Sequence, residues 1–486
     1  MTTLACVPLD DRPVSTDLPQ AVCAVAGASL TLPPTQAWPR GRQPGDADAI
    51  GAWVTETTSD AFVVSLEGLT SGGLVASRTG HESLGALLGR LDVLRPLDVP
   101  VRASVVVPRT PDTDDAAEEP EYWDAYGRAL HALSAALHTG RGVAAARDRV
   151  PPEVATDWAR RRLRQHQLAL AALDMVASGS LTGLIVGVDD AATASLSVPD
   201  GDHMAQQAER LGLGDRVTVG HGADEATAVM CARSLLDLGG AMGPAVAVDC
   251  GVPGGLERTA VYESAPVRCT VLHQLHAAGA VPVGLQDEPD VVLVVHPPDG
   301  SGDWAVAPPT STDATAAQAT AEVVRRHLDA GRRVAVADVA QPNGADPALV
   351  LALADTGTLL ELAGWAAWNT AGNTVGTVAA HVVASHVGRL TGRFDEAAHR
   401  RLLAARLVED WAWMSVVRAE VRARTGGDPR RHDHVDPAHP ALHGLDQRLQ
   451  QLLTQVGGGL GWKVAPGAVR LPWHRTFEVQ VGLVPG

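Results

Sequence analysis

Short apolar runs rich in β-branched residues recur along most of the chain, and longer stretches with apolar residues three and four positions apart lie between them. The short runs are typical of strands that are buried on both faces of a parallel sheet. The strands predicted in this way span residues 4–9, 61–66, 101–107, 183–188, 217–220, 245–248, 291–295, 334–337 and 362–366. These are nine candidates, one more than an eight-stranded barrel requires.

The longer stretches have the periodicity of helices that pack one face on a sheet. They span residues 81–94, 121–139, 152–178, 205–211, 223–238, 314–330 and 374–387. Gly279 and Gly331 follow helical stretches, where a left-handed glycine commonly ends a helix. Strand and helix thus alternate, which predicts an α/β fold, and we expect a (β/α)8 TIM-like barrel over residues 1–387.

Strand signals stop at about Gly388, and long helical stretches follow. We therefore expect residues 388–486 to form a smaller, mainly helical C-terminal domain. Residues 110–119 are acidic and rich in turn formers, which predicts an exposed loop that leads into the next helix.

The composition narrows the class of protein. The chain has 486 residues, 45% of them hydrophobic and 20% charged, which is typical of a globular protein with a sizeable core. A formal net charge of −17 argues against nucleic acid or an anionic membrane as a partner. The N-terminal residues lack the basic region of a secretory signal, so we expect a cytoplasmic protein. A homo-oligomer is compatible with these data.

Polar residues are concentrated directly after the predicted strands. Because ligands bind at the carboxyl ends of parallel strands, these positions are the candidate substrate-binding residues. They are Asp10, Asp11, Arg12, Glu67, Gly73, Arg78, Arg109, Asp189, Asp190, His221, Asp224, Glu225, Asp338, Asn343, Trp365, Asn369 and Asn373.

Each of these residues also has a structural explanation. Asp190 precedes a small-residue stretch and could be a helix N-cap, and the turn from Asp10 to Arg12 could hold a local ion pair. Trp365 could be a core residue rather than a platform for a sugar ring. The arginines after strands suit the carboxylate or phosphate of an acidic sugar, but they could equally pair with internal carboxylates.

Asp189 and Asp190 are of special interest because two adjacent carboxylates follow one strand. Their mutual repulsion raises the pKa of at least one of them. One carboxyl group could then donate a proton near neutral pH while its neighbour stays charged. We therefore expect this pair to be the catalytic centre.

Two sets of segments resemble known families. The first set is 8–13, 72–78, 187–190, 222–225, 337–344 and 364–374. These segments resemble a family of bacterial proteins of unknown function, and the resemblance covers nearly the whole chain. The second set is 183–190, 334–346 and 364–373. It has a more distant resemblance to the O-GlcNAcases and the bacterial hyaluronidase-type N-acetylglucosaminidases.

The second resemblance implies a (β/α)8 barrel that hydrolyses glycosides with retention, the 2-acetamido oxygen of the substrate acting as the nucleophile. Asp189 would orient the acetamido group, and Asp190 would protonate the leaving oxygen and then activate water. Asp338, Asn343 and Asn369 would hold sugar hydroxyls or the acetamido group.

The function predicted from the sequence is therefore hydrolysis of a β-linked N-acetylhexosaminide or a related glycoside, without a metal or an organic cofactor. Two alternatives stay open. One is a metal-dependent hydrolase or lyase, in which Asp10, Asp189, His221, Glu225 and Asp338 gather a divalent cation. The other is a sugar-binding protein without catalytic activity.

Overall fold

The chain divides into two compact units, each of which contains one parallel sheet. The structure, a computed structural model, describes residues 2–189, 191–426 and 435–486. The first unit comprises Met1–Pro19, Ala28–Ser234 and Tyr262–Ser264, and the second comprises Gln20–Gly27, Leu235–Val261 and Ala265–Gly486.

The sheet of the first unit has six strands, and all neighbouring strands are parallel. Its order is β2-β1-β3-β4-β5-β6, so that β1 lies between β2 and β3. The strands are β1 (Thr3–Val7), β2 (Ser29–Thr31), β3 (Ala61–Ser65), β4 (Val101–Val107), β5 (Gly183–Val188) and β6 (Val217–His221).

The sheet of the second unit has five parallel strands and repeats this order. Its first strand in sequence lies between its second and its third, in the order β11-β10-β9-β7-β8. This is the flavodoxin-like order of doubly wound folds. The strands are β7 (Ala245–Asp249), β8 (Val281–Val283), β9 (Val291–His296), β10 (Val334–Asp338) and β11 (Gly364–Ala366). An antiparallel hairpin, β12 (Trp462–Arg470) and β13 (Gln480–Pro485), also belongs to this unit.

Helices connect the strands and dominate the region after the second sheet. They are α1 (Pro13–Val25), α2 (Ala47–Glu56), α3 (Leu66–Ser71), α4 (Leu74–Thr79), α5 (Leu84–Leu91), α6 (Trp123–Thr139), α7 (Val143–Arg147), α8 (Pro152–Ala177), α9 (Ser197–Arg210), α10 (Ala226–Leu238), α11 (Val267–Ala278), α12 (Ala314–Asp329), α13 (Pro347–Asp355), α14 (Ala371–Leu390), α15 (Glu396–Arg406), α16 (Arg418–Thr425) and α17 (Leu445–Gly457). A π-helical segment, Leu407–Val417, joins α15 to α16. Among the described helices, none is long and apolar enough to cross a bilayer.

The α/β class and the parallel arrangement predicted from the sequence are confirmed. Each of the nine predicted strands is present, with ends that differ by up to two residues. The short edge strands β2 and β8 were missed, because none of their residues is buried, whereas the equally short β11 is buried throughout. In the described part of the chain the strands pair as two separate sheets, and a closed barrel is not shown. The domain boundary at residue 387 stays a prediction.

The core of the first unit forms because its strands are apolar on both faces. Strand β3 is buried along its whole length, and β1 is buried from its second residue onward. Side chains of the long helix α8, among them Leu168 and Leu173, belong to the same hydrophobic cluster as Phe62 and Val105 of the sheet. A sheet that is covered by helices presents its polar residues at its carboxyl edge.

Gly68 allows a close approach at the point where the strand order reverses. It lies in α3, directly after β3, and a Cβ atom at this position would lie 2.1 Å from the carbonyl oxygen of Pro8, directly after β1. Because Gly68 has no side chain, the segments after β1 and β3 can pack directly against each other.

We predict that Gly68→Ala destabilises the first unit by about 1–3 kcal/mol, because the new methyl group forces the loop at Pro8 away from α3. Chemical denaturation measures this change in the free energy of unfolding. Gly89→Ala is the matched control, since a Cβ atom there meets nothing within 4 Å and α5 should gain stability from alanine. Equal effects of the two substitutions would contradict the packing argument.

Candidate functional site

Charged side chains from several loops meet at the carboxyl edge of the first sheet. The loop after β1 supplies Asp10 and Arg12, and the segment after β6 supplies Asp224. The guanidinium group of Arg12 donates to Asp10 Oδ2 at 2.9 Å and to the two carboxylate oxygens of Asp224 at 2.6 and 3.2 Å. Because the side chains of Arg12, Asp10 and Asp224 are only 4, 1 and 8% exposed, this is a buried ion-pair network.

A second group of charges surrounds Arg78, which lies in α4. Its guanidinium group pairs with Asp189, directly after β5, and with Glu118 Oε2 at 3.1 Å. Arg109, which follows β4, donates to the same Glu118 oxygen at 3.0 Å and to Glu119 Oε1 at 3.2 Å. Loops after three neighbouring strands thus contribute to one cluster.

The acidic loop at residues 110–119 differs from the prediction. Instead of being exposed throughout, it turns Glu118 and Glu119 inward, toward Arg78 and Arg109. Burial raises the pKa of Glu119, the two arginines oppose this effect, and the charge of Glu118 adds to it. Arg78 and Arg109 therefore pair with internal carboxylates in this structure, which is one of the two interpretations considered for the arginines after strands.

Asp224 is influenced by both groups of charges. Burial raises the pKa of its carboxyl group, Arg12 lowers it, and the negative charges of Asp10 and Asp189 raise it further. Asp189 and Asp224 come from the ends of adjacent strands and are electrostatically coupled. Such coupling favours a proton on one carboxyl group of a set.

Glu67, in α3, is fully buried beneath this edge. Its carboxyl group accepts hydrogen bonds from the backbone N–H of Val106 at 2.8 Å and from the hydroxyl of Ser65 at 3.2 Å. Burial raises its pKa from 4.5 to about 7, although both hydrogen bonds and the charge of Arg78 lower it. A large fraction of Glu67 is therefore protonated at neutral pH.

Other predicted residues of the first unit surround this network. Gly73 is the N-cap residue before α4 and has a φ of 127°, a conformation that favours glycine. Nε2 of His221 accepts a hydrogen bond from the backbone N–H of Ser264 at 3.1 Å. Glu225 is buried before α10, and Asp11 is half-buried in the turn after β1. Asp190, predicted to be the catalytic acid, lies outside the described residues.

The second sheet has its own buried polar group at its carboxyl edge. Asp338, at the end of β10, accepts from the backbone N–H of Asp346 at 2.7 Å, and Asp346 accepts from Nε2 of His296 at 3.0 Å. Burial raises the pKa of Asp338 to about 6, against the opposing charge of His296. Burial disfavours the charged form of His296, but the hydrogen bond that it donates to Asp346 and the nearby carboxylates outweigh burial and raise the pKa of His296.

The predicted amide residues of this unit lie in two loops that contact each other. Asn343 and Asn369 have φ angles of 64° and 58°, in the left-handed region that asparagine tolerates. The backbone N–H of Asn343 donates to the carbonyl of Asn369 at 2.8 Å, and its side-chain amide donates to Asp303. Asn373 is buried in the first turn of α14, and Trp365 lies in β11 with only 1% exposure.

A small cavity adjoins these loops in the second unit. It has a volume of about 10 Å³, roughly the space that one water molecule needs, and its lining includes Gln341, Asn369, Thr370 and Thr374. Its polar lining comes from loops after β10 and β11, where a doubly wound sheet binds ligands.

The π-helical segment holds both loops in place. The backbone carbonyl of Asp410 accepts from the N–H of Ala345, and its carboxylate accepts from the N–H of Ala367, both at 2.9 Å. The hydroxyl of Ser415 donates to the carbonyl of Ala345 at 2.7 Å, and Arg406 donates to Asp410 at 3.0 Å. Asp410 is absent from the residues predicted from the sequence. An aspartate beside Trp411 and Trp413 in an apolar helical stretch indicates a buried carboxylate, and this pattern could have identified it.

Metal ligation was the main alternative at these edges. Among residues 2–189, 191–426 and 435–486, no group of three or more His, Cys, Asp or Glu side chains is arranged to hold a metal ion.

The structure defines a protein with two doubly wound α/β units, each with buried charged residues at the carboxyl edge of its sheet. Residues 4–482 match the family described as "Protein of unknown function (DUF4127)", and the chain belongs to that family. This confirms the resemblance to a family of unknown function. The comparison with curated proteins gave no match.

Among solved structures, the chain is similar to one described as "The Structure of a C2-type Ketoreductase from a Modular Polyketide Synthase". The sequences are 14% identical, the match covers 94% of this chain and 87% of that chain, and the TM-score is 0.21. A score this low supports no argument about fold or function.

We predict that Glu67→Gln makes the stability less dependent on pH. The unfolded chain holds the Glu67 proton less tightly than the folded chain, so the wild type loses stability as the pH rises from 4.5 through about 7. The glutamine variant should gain up to about 3 kcal/mol relative to wild type over this range. Urea denaturation at several pH values measures it, with exposed Glu56→Gln as the control. A difference between variant and wild type that does not change with pH would be inconsistent with a protonated Glu67.

We predict that Asp410→Asn destabilises the second unit by about 1–3 kcal/mol, because it removes the buried charge that accepts from Arg406 and from the backbone N–H of Ala367. Glu409 still pairs with Arg406 in this variant. The substitution should also speed hydrogen exchange at the amides of Ala345 and Ala367. Glu396→Gln, which removes an exposed ion pair with Arg400, is the control and should change stability by less than about 0.5 kcal/mol. Unchanged exchange at both amides would argue against the proposed role of the π-helical segment.

Proposed function

We propose that the protein is a glycoside hydrolase whose catalytic carboxyl groups lie at the carboxyl edge of the first sheet. The observation that supports this proposal is the coupled pair Asp189 and Asp224 on adjacent strand ends. Asp224 has a raised pKa, and Asp189 has a positive partner in Arg78. Glycoside hydrolysis uses one carboxyl group that donates a proton and one that is charged.

Asp189 and Asp190 remain the proposed catalytic residues. On this proposal Asp190 protonates the leaving oxygen and then activates water, while Asp189 orients a polar group of the substrate. The ion pair with Arg78 supports the second role, because it fixes the direction of the Asp189 carboxylate. Asp224 adds a carboxyl group that can exchange a proton at the same edge.

The finer features of the proposal come from the resemblance to the N-acetylglucosaminidases. They are a β-linked N-acetylhexosaminide as substrate, assistance by its 2-acetamido group, retention of configuration and a closed (β/α)8 barrel. The acid and base roles do not depend on barrel closure, since an open doubly wound sheet also gathers its strand-end loops at one edge.

The second unit, taken by itself, has groups of the type that bind sugars. Asp338, Asn343, Asn369 and Asn373 are carboxylate and amide residues at the carboxyl edge of its sheet, and we propose that they bind hydroxyl groups. No metal or organic cofactor takes part in the proposed reaction.

We predict that Asp190→Asn lowers the turnover of an aryl β-N-acetylglucosaminide by at least about a hundredfold, because the leaving group loses its proton donor. Asp189→Asn should be most harmful for substrates that carry the acetamido group. Release of the aryl alcohol from a panel of aryl glycosides measures both effects, and exposed Asp48→Asn is the control.

The outcomes separate the alternatives. Wild-type turnover in Asp190→Asn would remove Asp190 from the mechanism. Sugar binding without turnover of any glycoside in the panel would instead support a sugar-binding protein. Activity that is lost with EDTA and restored by Mn²⁺ or Mg²⁺ would support the metal-dependent alternative.

A further inference from the structure

Arg78 and Arg109 share the same two carboxylate oxygens. Glu118 Oε2 lies 3.1 Å from Arg78 Nη1 and 3.0 Å from Arg109 Nη2, and Glu119 Oε1 lies 3.5 Å from Arg78 Nη1 and 3.2 Å from Arg109 Nε. Two guanidinium groups that converge on two neighbouring oxygens form the arrangement that proteins use to bind the oxygens of one carboxylate or phosphate.

The internal carboxylates leave one donor of Arg78 unsatisfied. Nε of Arg78 is buried and has no hydrogen-bond partner, although the residue is only 7% exposed. A buried donor without an acceptor costs free energy that a further oxygen would recover. Glu118 and Glu119 also repel each other, since they are adjacent in sequence and both face the arginines.

The two glutamates belong to a loop, whereas Arg78 belongs to a helix. Residues 108–122 between β4 and α6 form no regular element, and the backbone carbonyl of Glu119 is held separately by Arg42 at 2.8 Å. The side chain of Glu118 is 19% exposed, against 6% for Glu119. Glu118 can therefore rotate toward solvent while the backbone of the loop stays attached.

We propose that Arg78 and Arg109 bind an anionic group of the ligand, a sugar carboxylate or phosphate, which displaces Glu118 from both guanidinium groups. The inference builds on the proposed function and specifies its substrate class as acidic glycosides. Asp189 pairs with the same Arg78, so the anionic group would bind next to the proposed catalytic residue.

Glu118→Gln is the decisive variant, because it removes the competing charge and keeps the size of the side chain. Isothermal titration calorimetry with D-glucuronate, inorganic phosphate and uncharged D-glucose gives the affinities for the wild type and the variant. We expect Glu118→Gln to bind one of the two anions about tenfold more tightly, whereas Arg109→Gln binds it at least about tenfold more weakly. Affinity for glucose should not change.

Glu396→Gln is the matched control, since it removes an exposed glutamate that also pairs with an arginine. Thermal unfolding of each variant shows that it is folded. Glucuronate and phosphate distinguish a carboxylate site from a phosphate site. Equal anion affinity in wild type and Glu118→Gln, or no anion binding in either, would overturn the inference.

The inference and the proposed function can fail separately. Turnover of neutral aryl glycosides, with no anion binding, would retain the hydrolase and reject the acidic substrate. Tighter anion binding in Glu118→Gln, with no turnover of neutral or acidic glycosides, would retain the anion site and reject the hydrolase.

Discussion

The first unit depends on one constraint, which is that a charge removed from water needs a partner. Arg12 is buried between Asp10 and Asp224 and so links the loops after β1 and β6. Removing one of these charges would destabilise the fold, because the others would stay buried with one ionic partner fewer. Arg78 does the same for the loops after β4 and β5. Burial raises the pKa values of Asp224 and Glu119, and neighbouring carboxylates add to the shift because carboxylates outnumber arginines in these groups.

Much of the fold could be predicted from hydrophobicity, because a strand buried on both faces has an uninterrupted apolar run. The order of the strands could not. A barrel and a doubly wound sheet have the same alternation of strand and helix, and they differ in where the second strand lies. In both sheets that strand, β2 or β8, is an edge strand of three residues, none of which is buried, so it has no apolar run to detect. Without these two strands, the remaining nine resemble a barrel with one strand too many.

Part of the candidate site could be predicted from the same apolar runs, because they show where strands end. Residues directly after strands, such as Asp10 and Asp189, were found because strand ends are visible in the sequence. Glu118 and Glu119 were missed as partners of Arg78, because an acidic loop has the same composition whether it faces solvent or arginines. His296 and Asp346 pair across fifty positions of sequence, and no local pattern reports such a contact.

The π-helical segment has a consequence for how this protein tolerates changes in length. Residues five apart on an α-helix point about 140° away from each other, whereas π-helical winding brings them close to the same side. Asp410 and Ser415 are five apart, and both contact Ala345. Deleting one residue from Leu407–Val417 would restore ordinary winding and rotate one of these contacts away. Alignments of homologous chains should accordingly contain gaps in surface loops, but none within these eleven positions.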